Sequence, residues 1–181
     1  MKIIGSKWRG RPIQKPKTTT VRPMSEKFRA AIFDIVGPIE GLSVLDVYAG
    51  SGAAGLEALS RGAFFVEAIE ANRGVASTIY ANVKTLDADW GYVLHQQTVE
   101  TWLGLPAQNP SKPRYDLIIA DPPYQKLDPF ILARLSPFIA DDGLLILSHS
   151  SKTEPPVIES MKLIKSRSYG DSALSQYEKI K

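Results

Sequence analysis

Residues 44–55, VLDVYAGSGAAG, decide how the chain is read. A short apolar run passes directly into glycines, and the glycines open a stretch of helix formers over 53–61. Gly50, Gly52 and Gly55 make a G-x-G-x-x-G pattern between strand and helix. In that setting glycines let the backbone approach a ligand at a helix N-terminus. The motif is weak alone, because such loops also serve close helix–strand packing.

Outward from this loop the same rhythm repeats. FFVEAIE (64–70) reads as a second strand, and Asn72 as the cap of a helix with Val75, Ile79 and Val83 on one face. VLHQQ (93–97) is a third strand, followed by a short helix near 99–105 and a loop containing Pro and Asn. DLIIAD (116–121) is the fourth strand and GLLILS (143–148) the fifth; between them Asp128-Pro129 reads as an N-cap with proline at the first helical position. Upstream, RPMSEKFRAAIFDIVGP (22–38) is a helix capped by Ser25 and stopped at Gly37-Pro38. Beyond residue 160, KLIKSRSYGDSALSQYEKI has two extended segments about Gly170-Asp171 and predicts a closing antiparallel hairpin. Apolar strands alternating with helices specify a doubly wound, Rossmann-like α/β domain with a mostly parallel sheet.

At 181 residues, 44% hydrophobic and 23% charged, one soluble globular domain is expected. No apolar run approaches the ~20 residues of a membrane span, and the polar N-terminus lacks a signal peptide's apolar region. The absence of cysteine removes disulfides, cysteine-ligated zinc and thiol catalysis, so no metal site and a cytoplasmic location are expected. The net charge of +3 is unevenly spread: residues 1–30 carry nine Lys/Arg against Glu26 alone, which leaves a mildly acidic remainder. A basic arm on an acidic body points to a polyanion, most simply nucleic acid; a solvated tail is the alternative reading. Ile3, Ile4, Trp8 and Ile13 give the arm more apolar anchoring than a disordered tail carries.

Two acids refine the glycine loop. Asp46 lies inside the first strand and Glu70 ends the second, where a carboxylate can accept ribose hydroxyls. A carboxylate beside the loop repels a pyrophosphate and attracts an ammonium group. S-adenosylmethionine has ribose, adenine, an ammonium and no phosphate, so the pair favours it over NAD. The alternative is that Asp46 only bonds loop amides and Glu70 is a solvated strand end.

The stretch DLIIADPPYQK (116–126) stops a strand on an acid, two prolines and an aromatic. Proline cannot donate to a ladder, so the strand ends near Asp121. The Asp121 carboxylate and the Pro122 carbonyl, held stiffly with Pro123, can take both hydrogens of an exocyclic base amine and aim its lone pair at a methyl sulfonium. Tyr124 can stack on a base withdrawn from its neighbours.

The segments MKIIGSKWRGRPI, RPMSEKFRAAIFDIV, DVYAGSGAAGLEALSRGA, DPPY and YGDSALSQYE together resemble the RsmD-type methyltransferases, from Met1 to about Glu178. The resemblance implies a class I S-adenosylmethionine-dependent fold and methyl transfer to the N2 amino group of one guanine in 16S ribosomal RNA, in a partly assembled small subunit; nothing in the sequence demands more than a monomer. It implies that Asp46, Tyr48, Gly50, Ser51 and Gly52 form the methionine-side pocket, and that Glu70, with Ala71 and Asn72, accepts the ribose. It makes Asp121, Pro122, Pro123 and Tyr124 the catalytic loop. Residues 1–24 become an RNA-binding arm, gripping backbone through Lys7, Trp8, Arg9, Arg11 and Arg22, and 25–181 the methyltransferase domain. Three departures stand out: Gln97-Thr98 where an Asp or Asn is expected near adenine, Met24 for Thr, and Ser148 for an acid.

Competing readings are a DNA adenine or cytosine amino-methyltransferase, disfavoured because no segment remains for target recognition, an NAD oxidoreductase, and a noncatalytic RNA-binding module. Of the remaining residues, Glu57 reads as a surface or packing-edge acid and His95 as structural. His149 reads as a site neighbour or a satisfied loop histidine, Trp90 and Trp102 as core or rim, and Trp8 as a base-stacking candidate.

Overall fold

A computed structural model describes residues 1–17, 24–104 and 114–180. Helix α1 (Glu26–Val36) starts where Ser25 Oγ accepts the Phe28 amide at 3.1 Å. It stops at Gly37, whose φ of +82° suits glycine. Then follow β1 (Ser43–Val47), α2 (Ala53–Ser60), β2 (Phe65–Ile69), α3 (Arg73–Leu86), β3 (Tyr92–His95), α4 (Val99–Gly104) and β4 (Tyr115–Ala120). The chain finishes with α5 (Pro129–Ala133), β5 (Ile139–Ser150), β6 (Met161–Tyr169) and β7 (Ser172–Lys179).

The seven strands lie in the order β3-β2-β1-β4-β5-β7-β6. Strands β1 to β5 are parallel, and β7 and β6 add the antiparallel hairpin. From β1 the order runs one way to β2 and β3 and the other way to β4 and β5, so the crevice above β1 and β4 is the sheet's topological switch point. One core layer packs the arm, α1, α2 and α3 on one face; the other packs α4 and α5 on the opposite face.

The N-terminal arm belongs to the first layer. Ile3, Trp8 and Ile13 are buried, and Lys2 bridges Pro12 across its turn. What fastens it is Glu57, expected as a surface or packing-edge acid and found fully buried on α2. Glu57 accepts the Ile4 amide at 2.9 Å, Arg29 Nε at 3.4 Å and Arg61 Nε at 2.9 Å. Arg29, also fully buried, reaches on to the Lys2 carbonyl. Burial pushes the Arg29 guanidinium down from its ordinary pKa, and Glu57 opposes that push.

Glu57→Ala strands the Arg29 charge and frees the Ile4 amide, so a loss of about 3–5 kcal/mol is expected. Urea unfolding reads it; a loss below about 1 kcal/mol contradicts the role.

Candidate active site

The carboxyl ends of β1 to β4 open into a cavity of about 1030 Å³. Met24, Ser25, Lys27 and Phe28 at the start of α1 and Tyr169 to Ser172 in the β6–β7 turn complete its wall. Of the expected site residues, Tyr48, Glu70, Ala71, Asn72, Gln97, Thr98 and all of Asp121 to Tyr124 line it. Asp46, Gly50, Ser51 and Gly52 are not in the lining; Gly50 is joined to it by its amide's bond to Glu70.

The glycine loop has two kinds of glycine. Gly50 (φ +56°) and Gly52 (φ +74°) lie in the left-handed region, and a Cβ on Gly52 would sit 3.0 Å from both Ile79 Cγ2 and Tyr92 Oη. Gly55 is there for packing: its Cβ would meet Val66 Cγ1 at 2.8 Å. Tyr48, which carries a side chain, is also left-handed at φ +62°. Such strain in a non-glycine residue costs on the order of 1–3 kcal/mol and concentrates at functional sites. Burial, with Glu100 and Asp128 nearby, pushes the Tyr48 hydroxyl up to about 12.

Three carboxyls gather at this edge. Asp46 is 2% exposed, and its Oδ2 accepts the Gly55 amide at 3.0 Å. Burial, reinforced by Asp121 and Glu70 and opposed by the Gly55 amide, raises it to about 7. Glu70 is also pushed up by burial and opposed by backbone amides. It clips two turns together, taking the Gly50 amide on Oε2 at 2.9 Å and the Asn72 amide on Oε1 at 2.7 Å. Asn72 in turn caps α3 through the Gly74 and Val75 amides. Asp121 follows β4 directly, its amide held by the Val47 carbonyl at 3.4 Å. Burial raises its carboxyl, and the Ser148 hydroxyl opposes the rise. Pro122 is buried while Pro123 and Tyr124 are exposed to the cavity.

Several placements correct the sequence reading. Trp8 is 3% exposed with its amide on Ser60 Oγ at 2.9 Å, so its ring is core and offers no open face to a base. Lys7 Nζ lies between the Trp8 and Trp90 rings, at 5.3 and 5.4 Å, and Arg11 bonds the Thr85 carbonyl. Neither these nor Arg9 lines the cavity, where Lys27 and Lys126 supply the positive charge. Arg22 falls outside the described residues. His149 is buried on Ser175 Oγ at 2.7 Å and lies away from the cavity lining; His95 pairs with Glu67 at 2.7 Å. Trp102 is core and Trp90 is rim, 58% exposed.

Asn82 escaped notice in the sequence. Fully buried on α3, it takes the Gln14 amide at 2.7 Å and donates to the Ser51 carbonyl at 3.1 Å, joining the arm to the glycine loop. An asparagine among Val75, Ile79 and Val83 on a buried helical face was the available signal, since buried amides need partners.

Residues 1–178 match the family model described as Conserved hypothetical protein 95. The chain belongs to this family. It is 31% identical to Ribosomal RNA small subunit methyltransferase D of Escherichia coli (strain K12), over 87% of this chain and 79% of that one. A solved structure of a hypothetical protein from Thermus thermophilus superposes with TM-score 0.81 at 29% identity, covering 98% and 99% of the two chains. Ribosomal protein L11 methylase of Lactobacillus delbrueckii shares the fold alone, with TM-score 0.62 at 18% identity over 84% and 82%. The RsmD-type resemblance and the methyltransferase fold expected from the motifs are thereby borne out.

The raised Asp46 carboxyl has a consequence for stability. Between about pH 4 and pH 7 the folded chain holds a proton the unfolded chain has released, so this group costs stability as pH rises through that window. Asp46→Asn keeps an acceptor for Gly55 and removes the cost. Thermal unfolding should show the variant gaining on the parent from pH 4 to pH 8, by up to about 4 kcal/mol. A pH-independent difference contradicts the burial of an ionisable group here.

Proposed function

We propose that this chain transfers a methyl group from S-adenosylmethionine to the N2 amino group of a guanine in 16S ribosomal RNA, in a partly assembled small subunit. The observation that carries this reading is the Asp121-Pro122-Pro123-Tyr124 loop sharing one cavity with Tyr48 at the end of β1 and with Glu70, whose carboxylate holds the glycine loop through the Gly50 amide. The family supplies the substrate class, its Escherichia coli relative being named for small-subunit ribosomal RNA.

The residues present fit the cofactor. Gly50 and Gly52 turn the loop through left-handed backbone beside Asp46 and Glu70, and these acids suit an ammonium and a ribose in place of phosphates. When bound, S-adenosylmethionine supplies an electrophilic methyl on a cationic sulfur. Glu70 would accept the ribose hydroxyls with lone pairs left over from its two amide bonds. Gln97 and Thr98, on the cavity wall, would contact the adenine; Thr98 also holds the start of α4, its Oγ1 taking the Thr101 amide at 3.1 Å.

Asp121 and the Pro122 carbonyl would take the two hydrogens of the guanine amine, which turns a delocalised lone pair toward the methyl group. Because the prolines fix both acceptors before substrate arrives, little reorganisation is needed in the transition state. Tyr124, 38% exposed, offers a ring face to the base. Lys7, Arg9 and Arg11 on the folded arm would hold RNA phosphates outside the cavity. We place the protein, as a monomer, in the cytoplasm with its substrate; among the described residues no helix is long and apolar enough to cross a membrane.

Labelled S-adenosylmethionine incubated with unmodified small-subunit RNA and with partly assembled subunits tests the reading. The expected product is N2-methylguanosine, reduced at least 100-fold in Asp121→Ala with cofactor affinity retained. A Lys7→Ala/Arg9→Ala double variant should raise the KM for RNA and spare kcat. Methyladenine, methylcytosine or label entering only DNA would overturn the substrate assignment.

A further inference from the structure

One small side chain ties the expected acceptor and the expected stacking ring together. Ser148 is 1% exposed near the end of β5. The β4–β5 ladder pairs Ala120 with Leu147, so the next step brings Ser148 opposite Asp121. Its Oγ lies 3.1 Å from Tyr124 Oη, and the same phenol donates to Ser172 Oγ at 2.8 Å. Ser172 lines the cavity from the turn of the β6–β7 hairpin. Asp121, Ser148, Tyr124 and Ser172 therefore stand in one run of hydrogen-bonding groups drawn from three segments: the loop after β4, strand β5 and the β6–β7 turn.

We propose that Ser148 is the positioning residue of the Asp121–Tyr124 loop, setting the carboxylate and the ring through a single hydroxyl, with Ser172 fixing the far end. This rests on the methyl-transfer reading of the same site. A serine hydroxyl has one proton and two lone pairs. It can donate to Tyr124 while accepting from a protonated Asp121, which leaves the phenol's proton on Ser172. It can instead donate to the Asp121 carboxylate while accepting from Tyr124, and the phenol's proton then turns from Ser172 to Ser148. Either way the two groups are held in register with each other, and the choice follows the charge on Asp121. A longer acid at position 148 would bring a second carboxylate against Asp121, whose own charge already weighs on buried Asp46. The appended hairpin thereby acquires a part in the site, because Ser172 reaches Tyr124 from outside the parallel sheet.

The effect is separable from simple packing. Loss of the Ser148 hydroxyl removes a donor that favours ionised Asp121, so the carboxyl should titrate at higher pH. The other charged or titratable groups around it are Asp46 and Tyr48 at the end of β1, Glu70 after β2, Glu100 on α4, Lys27 on α1, Lys126 in the loop and Asp171 in the hairpin turn. All remain in the variant, so a difference from the parent reports Ser148.

The test compares Ser148→Ala, Tyr124→Phe and the double variant, reading kcat, KM, cofactor affinity by calorimetry and the Asp121 carboxyl by carbon-13 NMR. Expected are a 10–100-fold fall in kcat for Ser148→Ala with cofactor affinity within twofold, an Asp121 titration moved to higher pH, and a double variant little worse than the worse single. An unmoved titration with full kcat would overturn the proposal. So would fully additive losses, or a loss of cofactor affinity that accounts for the whole defect. If the parent transfers no methyl group to any RNA, the functional reading fails while the carboxyl titration still decides the part played by Ser148.

Discussion

The cavity depends on the parallel pairing of β1 with β4. That ladder sets Val47 against Ala120 and lets the Val47 carbonyl hold the Asp121 amide. It forces the two loops with unusual chemistry, the glycine turn after β1 and the Asp-Pro-Pro-Tyr turn after β4, to rise side by side. The connections leave β1 in one direction and β4 in the other, which opens a crevice between their carboxyl ends. A slip of one residue would turn Asp46 to the opposite face of the sheet and lose its bond to Gly55.

The same pairing concentrates negative charge. Asp46, Glu70 and Asp121 are all raised above the ordinary carboxylate range, with burial the first cause in each case. Asp46 feels the other two directly. Backbone amides and the Ser148 hydroxyl offset part of that cost. A cationic ligand would offset more, which explains why a protein would tolerate such a cluster at the mouth of a cavity.

What could be read in the sequence was local. Ser25, Asn72 and Asp128 cap helices as their side chains require, and the strand ending at DPPY ends there because proline cannot donate. Tyr124 and Glu70 were legible because strand ends in parallel sheets converge. Glu57, Asn82 and Trp8 were not. Each owes its place to the arm folding back across α2 and α3, contacts more than fifty residues apart in sequence. An acid in GLEALSRGA carries no mark that a buried arginine and a distant amide will share it. The arm's basic residues pointed to a polyanion and its apolar residues to anchoring, and Ile3, Trp8 and Ile13 are indeed core.

In physical terms, this acid-rich edge suits a cationic ligand, as the proposed adenosyl donor is. Calorimetric titration of S-adenosylmethionine in buffers of different ionisation enthalpy, near pH 6.5, tests that most directly. Binding should release protons as the ligand's charge pulls the carboxyls down, and S-adenosylhomocysteine, without the sulfonium charge, should release fewer. Equal proton counts near zero for both ligands would contradict it.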